Sequence, residues 1–149
     1  MPGTRPELTD GLVLRLARRR AEDLFIEDMR SPQAQDFTLG SRELKEAALK
    51  RCGQLSVYDR EVTSAAQARA LMTKPSGYPW GFHLSVEAIL NDVGFDLHVF
   101  RDPNPDGDMR EGAEGHCVIE NVWSPDEDRM QDIRAELMRI AQPIDKAIT

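Results

Sequence analysis

The hydrophobic positions of the chain follow two periods, and those periods divide it into strands and helices. In "LSVYD", Leu55 and Val57 alternate with Ser56 and Tyr58, the two-residue repeat of a half-buried strand. "FDLHVFR", residues 95–101, repeats the pattern, with Phe95, Leu97 and Val99 set against Asp96 and His98. "HCVIENVW", residues 116–123, predicts a further strand, with Cys117, Ile119 and Trp123 on one face and Val118 and Val122 on the other. Toward the C-terminus the spacing lengthens. Met130, Ile133, Leu137 and Ile140 form the stripe of a helix predicted over 125–141. Ser124 is its expected cap, Pro125 suits the first helical position, Glu127 completes the start signal and Pro143 ends it. "GLVLRLA" fits both periods: Leu12, Leu14 and Leu16 suit a strand, whereas Leu12, Leu16 and Leu24 suit a helix.

Caps and turns place the other elements. Ser41 begins "RELKEAALKRC", a predicted helix with Leu44, Ala48 and Cys52 on one side and Gly53 at its left-handed end. Ser64 and Gln67 match a capping box at the head of a short alanine-rich helix. "TKPSGYPWG" reads as a turn-rich connection, and "SVEAILNDVG" as a short helix closed by Gly94. This order of elements predicts an α+β fold, a small and mainly antiparallel sheet packed with several helices. Residues 1–10, with Pro2, Gly3 and Pro6, read as a loose arm; 11–142 read as one domain and 143–149 as a tail.

Composition narrows the function classes. Nineteen basic against 26 acidic residues give a net charge of −7, a field that opposes docking on nucleic-acid phosphates and anionic membranes. The basic run "RLARRR" is followed by Glu22, Asp23, Glu27 and Asp28, as on a solvated mixed-charge face. The first residues hold no basic-then-apolar leader, so the expected setting is the cytoplasm, with Cys52 and Cys117 as reduced thiols.

The densest chemistry lies in "DPNPDGDMREGAE", residues 102–114, which opens like an oxygen-rich calcium loop. An EF-hand needs a bidentate glutamate at the twelfth position; here that position is Ala113, and Glu114 comes one place late. The flanking segments also read as strands. The stretch is therefore expected to be a hairpin loop, using Asp, Asn, Gly and Pro for backbone reasons. His83, His98 and His116 match no compact zinc spacing, and no serine-hydrolase, cofactor or phosphate-loop motif is present. Tyr78, Trp80 and Phe82 crowd into one turn. Core packing explains them, and a ligand-lining wall that includes Tyr78 and Trp80 is the sharper alternative. Pairing 95–101 with 116–122 symmetrically sets Arg101 opposite His116 with Asp102 at the neck, a combination suited to anion binding or acid–base work. His116, starting a strand beside a loop, is expected to be a partly exposed polar residue.

The order of "LSVYD", "TSAAQARAL", "SGYPWGF" and "FRDPNP…GHCVIE" resembles a group of uncharacterised small bacterial proteins. That group carries an LSV strand, a T-x-x-E/Q-A helix and a DP-x-P turn leading to an HA-x-I strand. The resemblance spans roughly residues 54–122. Arg101 stands where the group tends to have histidine, and Cys117 where it has alanine. It implies a bacterial origin and a loop rather than a cation site, picks out Asp102, Pro103 and His116, and carries no established activity. Two functions are therefore expected. The first is a small binding or accessory module recognising a protein partner, for which helix 125–141 offers one face. The second is a small enzyme acting on a phosphate-bearing or nucleotide-like ligand, with Arg101 for the anion and His116 and Asp102 as the catalytic pair.

Overall fold

The structure, a computed structural model, describes residues 6–17, 54–72, 74–122, 126–144 and 146–148. The fold is α+β. Among the described residues, seven strands form one sheet: β1 (Glu7–Leu8), β2 (Leu12–Ala17), β3 (Leu55–Asp59), β4 (Trp80–Ser85), β5 (His98–Arg101), β6 (His116–Glu120) and β7 (Gln142–Pro143). Their order is β1-β5-β6-β3-β2-β4-β7, and each neighbouring pair is antiparallel. The stretch that fitted both periods is strand over Leu12–Ala17, because β3 and β4 take up its backbone groups on both sides. The helix predicted after Ser41, including Cys52, lies outside the described residues.

Each face of the sheet has its own apolar layer. Val13, Leu55, Val57, Phe82, Leu84, Val99, Cys117 and Ile119 bury one face. Against it pack α2 (Val86–Ala88, continued by a π turn over Ile89–Val93) and α3 (Glu127–Ile140). Leu14 and Leu16 project from the other face, where α1 (Ala65–Ala70) supplies Ala68 and the C-terminal segment supplies Ile148. Ile133 and Leu137 of α3 are fully buried, each contributing about 1.5–3 kcal/mol of transfer free energy. Ile140 is half-buried, and the side chain of Met130 is outside the described set.

Several boundaries differ from the sequence reading. Helix α3 begins later than residue 125, because Asp126 is the cap: its carboxylate accepts from the backbone N–H groups of Asp128 and Arg129. Strand β5 begins at His98, since Phe95 and Asp96 adopt φ of 53° and 57° and turn the chain. Arg129 holds that turn by donating to the Phe95 carbonyl at 2.8 Å and lying 5.8 Å over its ring. Asn121, at φ 69°, ends β6 and breaks its alternation. Val122 consequently joins the layer of Cys117 and Ile119, not the face of Val118.

Both chain ends extend the sheet. Within the segment expected as a loose arm, Glu7–Leu8 pair with β5 and the Pro6 carbonyl accepts from Arg101 N–H at 2.8 Å. Within the expected tail, β7 pairs with β4, Ile144 N–H donates to Gly81 O at 3.0 Å, and Ile148 N–H donates to Pro79 O at 2.7 Å. Gly81 also allows the close approach of β2 to β4: a Cβ there would sit 2.9 Å from the Arg15 carbonyl oxygen. Among the described residues, no helix is long and apolar enough to cross a membrane.

Candidate functional site at the mouth of the β5–β6 hairpin

Strands β5 and β6 pair across the 102–115 loop, so the calcium-like stretch is a hairpin connection. The register is one residue away from the symmetric expectation. Arg101 lies opposite Cys117, and Asp102 N–H donates to His116 O at 2.9 Å. Burial alternation does not choose between the two registers, because His116, Cys117, Val118 and Ile119 are all buried. The loop chooses instead, closed by Asn104 N–H to Ala113 O and by the 3-10 turn Ala113–Gly115.

That single step divides the expected triad between the two faces. Arg101 shares the face of Cys117 and Val57, where its Nη1 donates to Asp59 Oδ2 at 2.9 Å. Asp59 is 4% exposed, and its other oxygen accepts from Glu61 N–H at 3.0 Å. Asp102 and His116 share the opposite face. His116 Nδ1 lies 3.0 Å from the Asp102 carbonyl oxygen and 3.2 Å from its Oδ2. Both neighbours are acceptors, so Nδ1 carries the proton and Nε2 is the acceptor of the neutral ring. The structure therefore brings Asp102 and His116 together and turns Arg101 away from them. His116 is 4% exposed, against the expected partial exposure: Tyr58, its cross-strand partner, stands edge-on with ring centroids 5.5 Å apart.

Burial tunes the remaining titratable groups. It holds Cys117 at about 11, with Asp59 adding to the effect, so the thiol stays protonated. Burial raises Tyr58, with the nearby Asp108 carboxylate reinforcing it. His83 is lowered by burial and by Arg60, whose Nε donates to His83 Nε2 at 3.0 Å. His98 is raised by its hydrogen bonds to Glu7 and then Asp96. The three histidines thus stand on separate partners. Among the described residues, no three His, Cys, Asp or Glu side chains are grouped to hold a metal ion.

The loop itself is pinned along its length. Asn104 and Asp106 adopt left-handed φ of 52° and 55°, and Asn104 Nδ2 donates to Asp108 O. Arg110 grips the Asp108 carboxylate, holding it at about 2, and also donates to the carbonyls of Ala70 and Leu71 at the end of α1. Gln67 of the observed capping box donates to Glu111 Oε1, and Thr63 Oγ1 donates to Gly112 O at 2.6 Å. Gly115 admits the fully buried Thr63, since a Cβ there would fall 1.9 Å from Thr63 Oγ1. Met109, between the paired Asp108 and Arg110, is 82% exposed.

Tyr78 and Trp80 do not form one wall. Tyr78 packs against the Leu14–Leu16 cluster, whereas the alternation of β4 sends Trp80 to the face of Phe82 and Leu84. Sequence reading missed Asp59, although the period of Leu55 and Val57 carries straight to it and marks it as an inward-facing acid. It also missed Thr63 and the reach of Arg110 to the end of α1, contacts made across 49 and 39–40 residues that leave no local signal. No protein-family model, curated protein or solved structure matches the chain.

Proposed function

We propose that the protein is a small bacterial binding or accessory module, working in the cytoplasm, that recognises a protein partner through its 102–115 loop. The observation that carries this reading is Met109, an apolar side chain 82% exposed on a loop whose backbone is tied on both sides. A loop backbone already held in place loses little conformational freedom on docking, which lowers the cost of burying Met109 in a partner's pocket. Methionine also adapts its shape to such pockets. Among the described residues, the next most exposed large hydrophobics, Val62, Leu12 and Phe95, reach only 37–39%. The alternative of a phosphate-bearing ligand held by Arg101, Asp102 and His116 has less support, because Arg101 is turned away and neutralised by Asp59.

A photo-crosslinking amino acid at position 109 tests the reading in the cells that make the protein, with exposed position 87 on α2 as control. The expected result is one discrete adduct from 109 and none from 87. The captured protein, once purified, should bind the parent chain saturably and Met109→Asp about tenfold or more weakly. Identical adducts from both positions, or equal affinity for Met109→Asp, would contradict it.

A further inference from the structure

The face that keeps Asp102 and His116 holds two polar atoms that the fold leaves unused. His116 is 4% exposed and its Nδ1 is committed to Asp102, yet its Nε2 has no hydrogen-bond partner among the described residues. The adjacent Tyr58 hydroxyl, on a half-buried ring, likewise makes no hydrogen bond among them. A buried polar atom is nearly always paired, so the orphan Nε2, with the Tyr58 ring edge-on beside it, points to a group that joins it. We propose that Tyr58 and His116 form a small binding site beside the 102–115 loop, for a ligand presenting a hydroxyl or amine hydrogen and not for an anion.

The chemistry of the donor set fixes the ligand class. In the tautomer that the two Asp102 acceptors select, with the proton on Nδ1, Nε2 offers a lone pair, which takes a hydrogen and repels an anionic oxygen. Tyr58 adds an oxygen that both donates and accepts. The charges around the pair point the same way. Asp102 lies on the imidazole, and Asp108 stands near Tyr58 with Arg110 and Arg15 opposing it. Arg110 is occupied by Asp108 and by the end of α1, while Arg101 lies on the other face with Asp59. Asp102 is here a positioning residue: it fixes the tautomer and the ring plane, as a carboxylate behind a working histidine does.

Two-bond proton–nitrogen spectra of the imidazoles in the full chain read the site directly, with ethanolamine and methylamine as probes and inorganic phosphate as the anionic counterpart. The expected spectrum shows His116 protonated at Nδ1 and bare at Nε2. The amines should move the Nε2 signal saturably at millimolar concentration, whereas phosphate at equal ionic strength leaves it in place. Tyr58→Phe removes one hydroxyl and little volume, and should weaken amine saturation by about tenfold, the loss of one hydrogen bond. His98→Gln should leave the titration unchanged, and the same spectra report whether each variant is folded. An Nε2 signal unmoved by both amines would make the site a sealed niche for water or packing alone, and would overturn the proposal. A shift caused by phosphate, or amine saturation unchanged in folded Tyr58→Phe, would also overturn it.

Discussion

The two sides of the hairpin mouth use the same kinds of residue to different ends. On one side Arg101 and Asp59 close on each other at 2.9 Å, and the remaining Asp59 oxygen is taken by a backbone N–H. On the other, Asp102 satisfies one nitrogen of His116 and the second has no partner among the described residues. A buried carboxylate with both oxygens partnered is structural, whereas a half-partnered histidine held by a carboxylate remains available. One step of strand register decides which residue joins which side. Function is therefore to be sought where the fold has left its polar groups unfinished.

The contrast can be tested by removing each acid in turn. Asp59→Ala leaves Arg101 and the Glu61 N–H unpaired, and should cost about 2–4 kcal/mol in a denaturant titration, tempered because Arg101 is 41% exposed. A cost below that of Asp102→Ala would erase the distinction between the two sides. Next in size is Gly115→Ala, which drives a methyl into buried Thr63 and should cost about 1–3 kcal/mol while loosening the loop. An unchanged melting midpoint would show that the loop is not locked against α1. Asp102→Ala should cost only about 1 kcal/mol, since that side chain is 35% exposed. Its larger effect should be on the imidazole: nitrogen spectra should show the tautomers of His116 mixing once Oδ2 is gone.

The smallest effect is a pH dependence at the sheet edge. Glu7 and Asp96 raise His98, so the folded chain binds that proton more tightly than the unfolded one. The stabilisation is whole below the ordinary value of 6.5 and fades as pH rises through the raised folded value. The Arg101 amide, bonded to Pro6 O, should lose hydrogen-exchange protection across that interval. Glu7→Gln should flatten the dependence, and a steeper one would place its origin elsewhere.

How much of this was legible in the sequence follows from how local each determinant is. The alternation of Leu55 and Val57, the Ser64–Gln67 box and the Ile133–Leu137 stripe are set within a few residues, and each stands as an element. The turn at Phe95 and Asp96 was not legible, because an aromatic residue at positive φ contradicts its own preference and is held by Arg129, 34 residues on. Asn121 concealed the same device at the end of β6, which misplaced Val122. At the candidate site, the nearness of Asp102 and His116 was readable from the hairpin, but the facing of Arg101 was not. With β6 buried on both faces, pattern carries no information about register, and a guess one residue away reassigns every side chain.

The division of the hairpin mouth is tested most directly by a pair of double-mutant cycles on unfolding free energy. Arg101 and Asp59 are in contact, so Arg101→Met combined with Asp59→Asn should show a coupling of about 1–3 kcal/mol. Arg101 and His116 point to opposite faces, so Arg101→Met combined with His116→Gln should be additive to within about 0.5 kcal/mol. Strong coupling of Arg101 to His116, with none to Asp59, would contradict the register and the account built on it.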